Sequence, residues 1–169
     1  ECGLDYYREE GTDKQLQKTY FARQIELSLR YQKPLVVHTR CAREDTIDLL
    51  RTVGKNKATG VMHCFTESKE MATKALDLGL YISFSGIVTF KNELALQEVV
   101  RHVPLECMLI ETDSPYLAPM PYRGKTNEPA YVKYVAKKIA ELKECAYMDV
   151  AASTTRNFKQ LFKPCSISI

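Results

Sequence analysis

The sequence predicts an α/β fold built on a parallel sheet, and three observations carry that reading. Short apolar runs alternate with amphipathic helical stretches from one end of the chain to the other. The runs are three or four residues long and lie beside Gly, Pro or a polar residue, as buried strands do. The residues that follow them carry chemistry, and parallel strands present their C-terminal ends on one rim. Two architectures fit. An open doubly wound sheet suits the length of 169 residues, because a (β/α)8 barrel typically needs ~250. The polar residues at the strand ends favour the barrel, here an incomplete TIM barrel with later strands and helices only.

Glu1 is expected to end a strand of its own. From Lys14 to Leu29, the positions Leu16, Tyr20, Phe21, Ile25, Leu27 and Leu29 give a helix a broad apolar face. Leu35-Val36-Val37, entered from Pro34, reads as a strand, and Gly60-Val61-Met62 as the next. Ser68 is placed to cap a helix carrying Met71, Ala72, Ala75 and Leu76, with Gly79 to end it. Tyr81-Ile82-Ser83-Phe84 follows as a strand. Leu96, Val99, Val100 and Val103 then repeat at helical spacing and stop at Pro104. Met108-Leu109-Ile110 is the last strand. Val132, Val135, Ala136 and Ile139 mark a helix after Pro129, and a final helix starting near Asp149 carries Val150, Phe158, Leu161 and Phe162. With no Gly/Ser linker, residues 1–169 read as a single domain, the C-terminal two-thirds or so of a barrel.

Composition excludes several classes. Apolar residues make up 45% and charged residues 27%, and 24 basic against 21 acidic side chains leave +3. These are ordinary values for a globular protein, unlike a disordered, collagen-like or disulfide-stapled chain. The longest uncharged stretch, Leu78 to Phe90, has 13 residues, short of the ~20 a membrane span needs. The six cysteines, at 2, 41, 64, 107, 145 and 165, contain no Cys-x-x-Cys. They read as free thiols in a reducing, cytoplasmic or nuclear compartment. The chain opens on Glu1 rather than Met, as if cut through a structural element, so targeting signals are not observable.

Three strands end in polar residues. Val37 runs into His38-Thr39-Arg40, Met62 into His63-Cys64-Phe65, and Ile110 into Glu111-Thr112-Asp113-Ser114-Pro115. Imidazoles and carboxylates converging on one rim make a metal site, with Mg, Mn or Zn as candidate ions. A glutamate that offers two oxygens can bridge two ions ~3.5–4 Å apart, the spacing used in phosphoryl hydrolysis, and Glu1 is a further candidate for the rim. The plainer alternatives are a hydrogen-bonded structural histidine, and a helix cap or salt-bridge partner at Glu111 or Asp113. His102, flanked by Arg101, reads as surface, and Cys64 beside Phe65 as packing. Ser114 to Glu128 is stiffened by Pro115, Pro119 and Pro121 and carries Tyr116, Tyr122, Arg123 and Lys125. Aromatics interleaved with cations suit single-stranded nucleic acid. Arg40 is placed to hold a phosphate or to pair with a carboxylate.

These segments resemble a known family. Glu1-Cys2-Gly3-Leu4-Asp5-Tyr6-Tyr7, Val37-His38-Thr39-Arg40, Met62-His63-Cys64-Phe65, Ile110-Glu111-Thr112-Asp113-Ser114-Pro115-Tyr116 and Pro121-Tyr122-Arg123-Gly124-Lys125-Thr126-Asn127 look like the TatD family of metal-dependent deoxyribonucleases. The similarity runs in order to Thr155-Arg156-Asn157-Phe158. It implies an amidohydrolase-type TIM barrel with a two-metal centre at the C-terminal rim, cleaving DNA phosphodiesters, often 3′-to-5′. It implies that Glu1 bridges the ions, that His38 and His63 bind one of them, and that Asp113 binds the other and helps activate the attacking water. Arg40, Tyr122 and Arg123 are implied as contacts to a DNA substrate with single-stranded ends. The family opens with a His-x-His pair, which this sequence lacks. By that comparison about three strands precede Glu1, and open barrel edges are expected to favour self-association. A metallo-hydrolase of esters or amides and a non-catalytic binding module are the alternatives.

Overall fold

A computed structural model describes residues 1–7 and 13–163; Cys165 lies outside the described residues. Five strands, β1 (Cys2–Asp5), β2 (Leu35–Arg40), β3 (Gly60–Met62), β4 (Tyr81–Phe84) and β5 (Met108–Ile110), form one sheet. They pair in chain order and all in parallel. A doubly wound sheet would reverse that order at a switch point. Here every strand lies beside its predecessor, which is barrel winding. The helices are α1 (Lys14–Tyr31), α2 (Arg43–Thr52), α3 (Lys69–Asp77), α4 (Leu94–His102), α5 (Val132–Lys143) and α6 (Tyr147–Phe162).

Local chemistry accounts for the element ends. Asp13 accepts from the Leu16 amide at 3.0 Å and opens α1. Ser68 accepts from the Met71 amide at 3.3 Å and opens α3, while Gly79 takes φ +77° just past its end. The strand period of two sorts the sheet into two faces. Leu4, Val37, Met62, Ile82, Phe84 and Met108 pack in the main core with residues of the helices. Val61 and Leu109 pack on the other face, with Val36 and Tyr81, against Leu161 and Phe162 of α6. The same face continues two residues later to His38, His63 and Glu111, at the C-terminal rim.

Three expectations are corrected. Glu1 does not end a strand: it precedes β1, which runs on to Asp5. His38 lies inside β2, which extends to Arg40 rather than stopping at Val37. The last helix begins at Tyr147, two residues before Asp149, whose carboxylate accepts from the Ala146 amide at 3.3 Å. Helix α2 lay unread in the sequence.

Candidate metal centre

The register places the centre. Gly3 pairs with His38, and paired residues of parallel strands share a face, so Glu1 and Asp5 flank His38 on the inner side. Gly3 permits this approach: its φ is +133°, and a Cβ there would collide with the His38 carbonyl oxygen. Glu1 Oε1 lies 3.4 Å from His38 Nδ1 and 3.8 Å from His63 Nε2. Asp113 Oδ1 lies 3.6 Å from the same His63 Nε2. The structure thus gathers Glu1, His38, His63 and Asp113 around one gap.

Each imidazole turns its other nitrogen to a carboxylate. His63 Nδ1 meets Glu111 Oε1 at 2.8 Å, and His38 Nε2 meets Asp5 Oδ2 at 3.3 Å. The Glu111 and Asp5 carboxylates therefore orient the rings and leave His63 Nε2 and His38 Nδ1 for the gap, the usual arrangement behind a metal-ligating histidine. Glu111 is further held by the Cys64 amide, at 3.2 Å from Oε2. Asp5 accepts from the Tyr7 amide at 2.9 Å, and its own amide donates to Gln17 Oε1 at 2.8 Å. One oxygen of Glu111 also comes close enough to His63 and Asp113 to complete a three-residue donor group. Its ion pair with the ring and its bond from the Cys64 amide assign it to support.

The electrostatics follow from this geometry. The Glu111 hydrogen bond raises the His63 pKa above its ordinary value, against the opposing pull of burial. Burial disfavours the charged form of Glu111. His63, the Ser83 hydroxyl and the Cys64 amide outweigh it and hold the carboxyl below its usual range. Asp113 is pushed up, first by burial and then by the Glu111 and Glu1 charges, with His63 and His38 opposing. The Cys64 thiol is pushed up to about 12 by burial and donates to the Ser85 hydroxyl at 3.2 Å.

The donor set fits a divalent cation. Two donors each ~2.1 Å from a shared ion at a tetrahedral angle stand ~3.4 Å apart, close to the 3.4–3.8 Å separations found here. The mixture of imidazole and carboxylate suits Mn, Zn or Mg.

The expected substrate residues lie around this rim. Arg40 stacks on the Tyr7 ring at 3.6 Å, beside a cleft of about 750 Å3 lined in part by Tyr6, Arg43, Thr66 and Glu67. Tyr122 and Arg123 lie in the loop after Asp113. Arg123 covers the Phe90 ring at 4.3 Å, and Tyr122 stacks on Tyr131 at 4.2 Å. Buried Asn127 ties this loop down, donating to the carbonyls of Thr112 and Tyr116 at 2.7 Å each. His102 is exposed and bonded to Thr73, as expected for surface. Sequence reasoning missed Asp5, although the Glu1-x-Gly3-x-Asp5 spacing was the available signal. It left Glu111 open between roles, and its place beside His63 decides for the ion pair.

A model of the TatD-related DNase family matches residues 1–163. The metal-dependent hydrolase YcfH of Escherichia coli K12 is 52% identical over 162 residues, covering 96% of this chain and 61% of that protein. The metal-dependent hydrolase YabD of Bacillus subtilis is 47% identical over 163 residues, covering 96% and 64%. The crystal structure of YjjV, a TatD homologue from Escherichia coli K12, superposes with a TM-score of 0.89 at 25% identity, covering 96% of this chain and 62% of that one. The chain thus spans about three-fifths of the length of these relatives.

Proposed function

The chain belongs to the TatD-related DNase family, and from that membership and the geometry of its rim we propose that it hydrolyses DNA phosphodiester bonds with the aid of divalent metal. The observation that carries the reading is the gap bounded by Glu1 Oε1, His38 Nδ1, His63 Nε2 and Asp113 Oδ1, with both outward ring nitrogens taken up by carboxylates.

Two ions, Mg, Mn or Zn, held by these four residues would polarise the phosphoryl oxygens and make water acidic enough to attack. Glu1 Oε1 reaches both imidazoles, so Glu1 would hold an ion together with His38 and His63. Asp113 would take a proton from the attacking water at its carboxylate. Arg40 and Arg123 already stack on rings through their guanidinium faces. Phosphate oxygens are bound by the guanidinium's edge donors, which stacking leaves available. Tyr122 offers a ring to a base. The preferred substrate is a single-stranded end, cut 3′-to-5′ as the family resemblance implies.

The compartment is cytoplasmic on this reading, since the five described cysteines are all free thiols. None of the described helices is long and apolar enough to cross a membrane.

The full chain with Mn is offered a 3′-labelled single-stranded oligonucleotide and, separately, a simple aryl ester. Release of mononucleotides, lost on Asp113→Asn by on the order of 10³-fold with the melting temperature held, is the expected result. Ester cleavage without any diester cleavage overturns the DNA reading.

A further inference from the structure

Three tyrosines cluster beyond the metal centre, and of these the proposed chemistry uses Tyr122 alone. Tyr122 and Tyr131 stack almost parallel, 6° apart with centroids at 4.2 Å. Tyr134 stands edge-on to both, at 5.4 and 6.0 Å, and its hydroxyl donates to that of Tyr122 at 3.3 Å. The Tyr134 ring is flanked by the ammonium groups of Lys133 at 5.3 Å and Lys137 at 5.7 Å. Both lysines are exposed, while the three rings are half-buried. The Glu128 carboxylate lies beside the Tyr131 hydroxyl and raises its pKa.

Helix α5 has neither an acidic residue in its first turn nor a side-chain cap. Lys133 sits in that turn, at the positive end of the helix dipole, where an anion is the favoured neighbour. Stacked rings ringed by cations offer what a single strand needs: π-faces for bases, charges for phosphates. A duplex hides its base faces, and an acidic peptide has no use for the rings. The cluster also belongs to the strand-end side of the fold. It follows the Asp113 loop, which Asn127 fastens to Thr112 and Tyr116.

We infer that Tyr122, Tyr131 and Tyr134, with Lys133 and Lys137, form an accessory platform that holds single-stranded DNA nucleotides away from the bond being cut. The inference rests on the DNA reading proposed above and extends the substrate beyond the contacts at Arg40 and Arg123. It makes affinity depend on strand length.

The test is fluorescence anisotropy of a labelled twelve-nucleotide oligothymidine with the full chain in chelator, so that binding is read without cleavage. Lys133→Gln/Lys137→Gln should weaken binding about tenfold and flatten the log–log salt slope by about 1.4, the value for two lost contacts to a single strand. A three-nucleotide probe should respond less than twofold. Tyr134→Leu should weaken the long probe about fivefold through lost stacking. Lys33→Gln/Lys57→Gln, which removes the same charge from the opposite ends of the strands, is the control. Equal losses in the two double variants, or none in either, overturn the platform, as does displacement of the oligonucleotide by polyglutamate at equal charge concentration. Cleavage with Mn is followed separately. If the platform variants lose binding while no chain cleaves DNA, the platform stands as a nucleic-acid surface and the hydrolase reading falls.

Discussion

His38 and His63 come from neighbouring strands and face the same gap, yet they are held very differently. His63 follows β3, the middle strand of the five, and its side chain is 20% exposed. The Glu111 carboxylate that meets it at 2.8 Å is 19% exposed and is itself fixed by the Cys64 amide. His38 lies on β2, beside the edge strand, and is 35% exposed. Its partner Asp5 stands at 3.3 Å, shares its carboxylate with the Tyr7 amide, and is 34% exposed. A charged hydrogen bond gains strength where water is excluded and loses it where water competes. The middle of the sheet therefore fixes its imidazole by burial, and the edge fixes its own through the local backbone of β1 and the glycine that lets Glu1 and Asp5 flank the ring.

The contrast is broken most directly by removing each ring. His63→Ala should lower Mn affinity by at least the ~100-fold that an outer-shell partner can command, since Nε2 faces both Glu1 and Asp113. His38→Ala, whose ring faces the single carboxylate Glu1 across the gap, should cost several-fold less. Calorimetric titration with Mn reads both, and equal losses would erase the distinction between centre and edge.

A smaller effect sharpens the same comparison one shell further out. Glu111→Gln should reduce Mn affinity ~10–100-fold, because it leaves a half-buried ring without its charged partner. Asp5→Asn should cost about threefold, since water can replace an exposed acceptor. The order of the two, rather than either size, carries the idea, and a larger loss at Asp5 would refute it.

How much of this was legible in the sequence depends on where a residue's partners come from. Strands β3, β4 and β5 were readable to the residue because each apolar run stops at a polar residue, His63, Ser85 or Glu111. Helix α2 was not, because Ile47 and Leu50 are its main buried apolar residues and its charged face dominates the window. Its acidic first turn, Glu44 and Asp45, with Arg51 in the last, was the signal that went unread. The convergence of His38, His63 and Asp113 followed from strand polarity, whereas Glu1, which precedes β1, was placed there by the family resemblance. The supporting pair could not follow from polarity. Asp5 reaches His38 by an inter-strand register, and Glu111 reaches His63 from the end of β5, across β4. Tyr131 and Tyr134 were passed over for a related reason. A search for helical spacing collects the core positions Val135 and Ile139 and ignores the face that stacks outward.

The smallest expected effect concerns protons. In the metal-free chain, Glu111 raises His63 above its ordinary 6.5, and the pair lowers Glu111 below its ordinary 4.5 despite burial. A raised imidazole contributes stability that is fully present below its ordinary value and is lost as pH rises through the folded one. A lowered carboxyl contributes stability that is present above its ordinary value and is lost as pH falls through the folded one. The two windows overlap between the ordinary carboxyl and imidazole values, so the pair stabilises the chain most at about pH 5–6. Glu111→Gln should lower the His63 ring-proton titration midpoint in NMR. It should also narrow the melting-temperature gap to wild type as pH rises through the raised folded-state value, where the imidazolium is lost. Asp5→Asn, whose partner is the other ring, should leave the His63 midpoint where it was. The same shift sets the metal's competition with protons, since the Nε2 proton must leave before an ion can bind there. Mn affinity in wild type should therefore begin to fall at a higher pH than in Glu111→Gln. A His63 midpoint unmoved by Glu111→Gln would mean that burial and the remaining carboxylates set the ring's protonation, and the middle of the sheet would then hold its histidine no more firmly than the edge does.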